Sequence, residues 1–236
     1  MMSGRIQRPG TRQTLNLPEV GRLHVGMKSE KGYPTSIDWF RATGKYAEQF
    51  MRAYGAKPNT IQVVFPSDDV EKVCDERYEY RDQSGALLAR GDGNIFELWN
   101  GVKYAPYSVE QYPDFMRWVV ENYPTKRGAD NWEVSLTLRF IIPAVRGIIG
   151  VWQFTTKGKA SSVNNIRNSF DSVLQMRQTV TTTVFDLSVH FHKSNKPGQN
   201  SRYPVVELVA NDTRVEDIRK MLKQENTLKI LGNDRN

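Results

Sequence analysis

The segment WEVSLTLRFII alternates apolar and polar side chains from Trp132 to Phe140, placing Trp132, Val134, Leu136, Leu138, Phe140 and Ile142 on one side of an extended chain. A strict period of two is the signature of a strand with one buried face, and a helix cannot produce it. A slip of one residue would turn the whole apolar set to water, so the register of such a strand is tightly specified. The segment IIGVWQFTT continues as a strand after the Pro143–Gly147 connection, and VFDLSVHFH points Phe185, Leu187, Val189 and Phe191 one way and Asp186, Ser188, His190 and His192 the other. YPVVELVA then closes a hairpin with a long tip, KSNKPGQN.

Helical spacing is confined to short stretches between these strands. Ala47, Phe50, Met51 and Tyr54 recur at helical intervals before Gly55 and Pro58. A second helix starts near Pro113, where proline is tolerated, and stops at Pro124 and Gly128. In SSVNNIRNSFDSVLQMR the residues Val163, Ile166, Phe170, Val173 and Leu174 form one stripe, with Ser161 or Ser162 as N-cap. Thr213 and Glu216 form a capping-box pattern for a short final helix. GRLHVGMKSEKGYPTSIDWFRAT reads as a hairpin turning near Lys31-Gly32, TIQVVF as a strand, and YEYRDQSGALLAR as a hairpin around Gln83-Ser84-Gly85 that leads through RGDGN into IFELW. The fold class that follows is α+β, mostly antiparallel sheets with about four short helices. The expected organisation is a flexible basic arm over 1–20, an N-terminal α+β subdomain over 21–105, a helix with connecting loops over 106–130, and a C-terminal α+β subdomain over 131–236.

Several classes of function are excluded by what is missing. No apolar run approaches the ~18 residues of a membrane span, and the first thirty residues lack the apolar stretch of a secretory signal. The protein is therefore expected to stay in the cytoplasm of the cell that makes it, away from membranes. The single cysteine, Cys74, can form no intramolecular disulfide and no multi-cysteine zinc site. It lies in an acidic run that raises its pKa and works against thiolate chemistry. There is no GxSxG elbow and no Walker A spacing, so no catalytic residue is assigned and no cofactor is expected.

Charge is the more informative property. Thirty-three Lys and Arg against 26 Asp and Glu give +7, an excess that favours polyanionic partners. Residues 60–99 reverse it, with nine acidic and four basic residues. The run containing Asp68, Asp69, Glu71, Asp75 and Glu76 reads either as a solvated face or as a surface for a basic protein partner. Asp68-Asp69 follows a strand, a common place for active-site carboxylates and equally for a helix or turn start. Arg5, Arg8 and Arg12 in the arm are candidate phosphate contacts. Lys157, Lys159 and Ser161 stand where a strand passes into a helix, with Arg167 further along that helix. Unpaired N–H groups and the dipole at such a corner suit a phosphate, although an ordinary capped turn has the same composition. Among aromatic residues that could stack on bases beside these cations, Trp152, Tyr78, Tyr80 and Phe96 are the candidates, most tryptophans being expected in the core. His190, His192 and Asp186 share a strand face and form either an open polar face or a partial metal site.

Taken together, GRLHVGMK…GYPTSIDWFRAT, YAEQFMRAYG, YEYRD…FELW, PAVRGIIGVWQFTTKGKASSVNNIR and VFDLSVHFH resemble the recombination directionality factor-like proteins of phages and integrated mobile elements, over about residues 20–210. The resemblance implies a non-enzymatic accessory protein whose partners are DNA, a DNA-bound serine integrase, or both, and which favours excision over integration. It carries over no individual binding residue. Two alternatives stand beside it: a single-stranded DNA-binding protein, and a metal-dependent phosphoesterase using His190, His192 and Asp186. A structural component of a virion or transfer apparatus is a third, blander class.

Overall fold

A computed structural model describes residues 17–125, 132–157, 159–194 and 201–214, together with 216 and 220. The elements in chain order are β1 (Glu19–Lys28), β2 (Pro34–Thr43), α1 (Ala47–Tyr54), β3 (Thr60–Val64), α2 (Val70–Val73), β4 (Cys74–Arg81), β5 (Leu87–Gly91), β6 (Ile95–Trp99), β7 (Tyr104–Ser108), α3 (Phe115–Asn122), β8 (Glu133–Phe140), β9 (Val151–Thr156), a π-helical turn (Lys159–Val163), α4 (Asn164–Arg177), β10 (Thr183–Lys193) and β11 (Arg202–Arg214). The α+β class holds, with four α-helices among the elements described and mostly antiparallel pairing. The expected turns are present, and Gly32, Gly85 and Gly93 take the positive φ that their tight connections need.

Eight strands form one sheet in the order β2-β1-β9-β8-β4-β5-β6-β7, and three form a second in the order β11-β10-β3. Strands from before residue 106 and after residue 130 thus share the large sheet. Its ladders are antiparallel except β1 with β9, where Gly21 pairs with Trp152 and Arg22 with Gln153. The alternating segment is β8, and it lies inside the sheet between β9 and β4. Leu136, Leu138 and Phe140 are fully buried on one side, and Glu133, Thr137 and Arg139 lie on the other.

The buried side of the sheet is covered in two separate places. Over β2, β1, β9 and β8 the three-stranded sheet, α1 and α4 bring Phe50, Ile166, Phe170, Phe185 and Leu187 against Leu23, Trp152, Phe154 and Leu138. Over the β4–β7 end, α3 brings Phe115 and Val119 against Tyr80, Ala89, Phe96 and Leu98. Phe96 stacks on Phe115 at 5.2 Å, and Trp132 packs edge-on to Phe96 at the same distance. Trp132 also donates its Nε1–H to the Met116 carbonyl at 3.1 Å, tying α3 to the approach of β8.

Register carries the opposite, polar side across the sheet in rows. One row runs Thr43, Arg22, Gln153, Arg139; next to it Arg41 pairs with His24 across β2 and β1, and Thr155, Thr137 and Asp75 pair across β9, β8 and β4. A further row holds Glu133, Glu79, Arg90, Glu97 and Pro106. Pro106 has no N–H, so the outer edge of β7 lacks a donor at its middle, a standard way of blunting an edge strand.

Two local expectations are corrected. The helical run after β9 begins as a π-helical turn and passes into α4 through Val163 in helical geometry, so neither Ser161 nor Ser162 is an N-cap. Ser162 is buried and its Oγ accepts the Val206 N–H at 2.9 Å, which ties the helix to β11. Thr213, expected to cap a final helix, belongs to strand β11. The Arg5, Arg8 and Arg12 arm, the tip of the last hairpin, and most of that final helix lie outside the described residues.

Gly21 faces the ring of Trp152, and a Cβ there would collide with the six-membered part of the indole and press on the Thr43 carbonyl. Overpacking of this kind costs roughly 1–3 kcal/mol. Gly21→Ala is therefore expected to lower the unfolding free energy by that amount, read from a urea titration, and Trp152→Phe, which removes the colliding ring atoms, to make the second substitution nearly neutral in the double variant.

Candidate functional site

The two covers leave a gap over β4, and the acidic block of the sequence lies in it. The resulting cleft of about 400 Å³ is lined by Glu71, Cys74, Asp75, Glu76, Arg77, Tyr78, Asp92, Arg167 and Asp171, with Val134 and Leu136 contributing apolar wall. On this covered side Glu71, Glu76, Asp92 and Asp171 meet Arg167, whereas Asp75 and Arg77 border the cleft from alternate positions of β4 whose side chains belong to the sheet's other face. Arg167 lies 3.4 Å from Glu76 and 3.7 Å from Asp171, and Arg77 donates to Asp75 at 2.8 Å. Asp92 accepts the backbone N–H groups of Asn94 and Ile95, each at 2.8 Å, and these bonds hold its carboxyl below its ordinary pKa. It stays charged at the cleft edge.

Of the five acidic residues singled out in the sequence, Glu71, Asp75 and Glu76 reach this cleft and two do not. Asp68 accepts the Val180 and Thr181 N–H groups and the Thr179 hydroxyl, so it organises the turn after α4. Asp69 precedes α2 and pairs with Lys72, whose hydrogen bond lowers its pKa. Asp92 and Asp171 were missed by the sequence reading. They join the block only because a hairpin turn and a helix 79 positions further along are folded onto β4.

The expected phosphate corner is divided between the two sides of the large sheet. Lys157 lies on the open side, 2.6 Å from Glu133 and 3.6 Å from Glu79. Arg167 lies on the covered side, paired within the acidic cleft. Lys159 opens the π-helical turn and its side chain lies outside the described residues; Ser161 is half-buried in the same turn. Lys157 is thus neutralised by the fold, and it does not converge with Arg167. The aromatic candidates are inside as well. Trp152 is 2% exposed and lies 5.6 Å from Phe50, Tyr80 and Phe96 are buried, and Tyr78 is half-buried between the two cores. A base could reach none of the three buried rings without opening a core.

On the second sheet His190 and His192 sit with ring centroids 5.9 Å apart, and His190 Nε2 lies 3.9 Å from Glu207. Asp186 is four residues from His190, about 13 Å along a strand at about 3.3 Å per residue, and it accepts a hydrogen bond from Asn211 at 3.1 Å. One ion cannot be held by both ends of that span. No three His, Cys, Asp or Glu side chains among the described residues are grouped to hold a metal.

A second concavity, about 470 Å³, lies where α3 meets β7 and is lined by Tyr107, Gln111, Tyr112, Pro113, Asp114, Phe115 and Trp118. Tyr112 and Trp118 are exposed there at 52% and 42%. Exposed aromatic side chains over an apolar groove are the kind of anchor that protein interfaces use.

Cys74 on the cleft floor is pushed up to about 12, first by burial and then by the charges of Asp171, Glu76 and Asp75. At pH 8 about one molecule in ten thousand would carry the thiolate. Iodoacetamide should leave the native protein unlabelled under conditions that label it fully in urea. Because the folded pKa exceeds the unfolded one, this group's contribution to stability is complete below the unfolded value, near pH 9, and is lost as pH rises towards 12. Cys74→Ser should flatten that alkaline decline in a urea series.

No helix among the described residues is long and apolar enough to cross a membrane. No curated protein and no solved structure matches the chain. The sequence pattern of the Gp3-like family, described as recombination directionality factor-like, matches residues 20–211. That span runs from the second residue of β1 to Asn211 in β11 and takes in both cores and the acidic cleft, and the chain belongs to the Gp3-like, recombination directionality factor-like family.

Proposed function

We propose that this protein is a non-enzymatic accessory factor that docks on a serine integrase bound to DNA and shifts its outcome from integration to excision, with the acidic cleft over β4 as the surface that meets the integrase. The family match carries the recombination role. The choice of a protein partner for this side of the molecule rests on one observation, the excess of carboxylates in the cleft. Such a surface repels phosphate and attracts a basic segment of a protein, accelerating encounter and fixing orientation. The exposed Trp118 and Tyr112 groove supplies apolar contact area on the neighbouring cover. The candidate cations at 157 and 167 are engaged by carboxylates and add nothing to a phosphate site. No nucleophile is activated in the cleft, since its cysteine is held as the thiol.

The test is recombination in vitro with a serine integrase acting on its own attachment sites. The parent protein should stimulate the excisive reaction and inhibit the integrative one. Glu71→Lys combined with Asp171→Lys should weaken integrase binding about tenfold or more, on the scale of 1.4 kcal/mol per decade, while thermal unfolding remains cooperative. Absence of any effect of the parent on either reaction sinks the functional reading. Full activity in the doubly reversed variant removes the cleft from it.

A further inference from the structure

The opposite side of the eight-stranded sheet holds the second feature. Its β4–β6 half is balanced in close pairs: Asp75 with Arg77, Glu79 with Arg81, Lys157 with Glu133, and Arg90 with Glu97. The β2-β1-β9-β8 half is different. Arg22 is paired with Glu19 at 2.6 Å, but the hydrogen bonds of Arg41 and Arg139 go to backbone carbonyls, those of Gly26 and Lys72, both at 3.3 Å. Among the described residues, three guanidinium groups thus share one carboxylate. Between them lie His24, Gln153, Thr155, Thr137 and Thr43, all capable of donating to an anion. Arg22, Arg41 and Thr155 are exposed and the rest half-buried, so no further layer covers the patch.

We infer that this half-face is a binding surface for the phosphate backbone of duplex DNA, with Arg41 and Arg139 as its principal contacts. Four considerations carry it. The chemistry of the patch, guanidinium groups interleaved with hydroxyl and amide donors, is the set that proteins use on phosphates. Its width also fits: three strand spacings of about 4.8 Å place β2 and β8 about 14 Å apart, close to the ~12 Å of a major groove. Cations at the two edges then reach both strands across the groove. The rows named above hold no aromatic side chain, and the nearest in β2, Trp39, is covered by Lys57 at 4.8 Å from its ring, so no open stacking platform of the kind single strands require stands beside Arg41. Finally, the local potential is positive, since Arg41 and Arg22 add to burial in holding His24 below its ordinary pKa. A carboxylate-rich protein surface would meet the same charge, and it lacks the fixed spacing that the two edge arginines match.

This surface lies on the side of the sheet away from the cleft, so its test is independent of integrase docking. Anisotropy of a labelled 20-base-pair duplex should show binding by the full chain at 50 mM salt that weakens about 10- to 40-fold by 200 mM, as two to three neutralised phosphates require. Arg41→Glu with Arg139→Glu should abolish that binding, and Arg41→Lys with Arg139→Lys should retain most of it. Arg90→Gln with Glu97→Gln, on the balanced half, should stay within twofold of the parent. No salt-dependent duplex binding by the parent overturns the inference. So does parent-like binding in the reversed variant, or tighter binding to the single strand than to the duplex. An integrase effect that survives in Arg41→Glu/Arg139→Glu leaves the docking reading standing. Duplex binding without any integrase effect leaves this one standing alone.

Discussion

Everything in the structure is referred to the alternation along β8. Because Leu136, Leu138 and Phe140 are fully buried and Thr137 and Arg139 are not, the strand fixes which side of its neighbours faces the core. Ladder pairing passes that decision to β9, where Trp152 and Phe154 must point inward, and to β4, where Cys74, Tyr78 and Tyr80 must. From there it reaches β1 and β5. The result is a sheet with one face closed by two separate covers and one face open to water. Both surfaces singled out above are consequences: the acidic cleft is the seam between the covers, and the arginine rows are the open side.

The charge distribution follows from the same division. A net charge of +7 says nothing about where cations stand relative to carboxylates. Glu79 and Glu133 are brought opposite each other by the β4–β8 register, and two facing carboxylates require a counter-charge, which Lys157 at the end of β9 supplies. These pairs are partly exposed, so each contributes little to stability. Their effect is to remove a cation that composition alone assigns to an anion site. In the β1–β2 hairpin no such carboxylates face Arg41, and there the excess charge remains available.

The sequence made the individual elements legible and left their partners obscure. Strand β8, the hairpin glycines and the short helices are encoded locally, by periodicity and by residues that tolerate positive φ, and local signals can be read one window at a time. The parallel pairing of β1 with β9 joins residues about 130 positions apart, and no local pattern announces it. The same holds for Asp92 and Asp171 in the cleft, and for Arg41 and Arg139, which are 98 positions apart in the chain and lie in neighbouring rows of one face. The reading of Ser162 as an N-cap failed because a tertiary acceptor role, towards the Val206 N–H, competed with local capping and won. Trp152 was assigned to a nucleic-acid surface from its neighbourhood of lysines, whereas strand alternation with Phe154 places it inside. For the histidine face the residue types were right and the spacing was not, since same-face neighbours four residues apart are separated by two full pleats.

The placement of the two candidate surfaces bears on how one small protein could work on a DNA-bound recombinase. Were both on the same face, a cleft that attracts basic protein segments and a patch that attracts phosphate would screen each other within about 8–10 Å at physiological salt. Separated by the thickness of a sheet and its side chains, they keep opposite potentials, and contact at one does not occlude the other. Two or three phosphate contacts give weak binding to free DNA. In the proposed function the cleft holds the protein on an integrase already bound to its site, and the same contacts would then operate at the effective concentration of a tethered ligand. A modest patch is then sufficient, and a strongly basic one would be a liability, since it would scatter the protein along non-specific DNA away from the integrase.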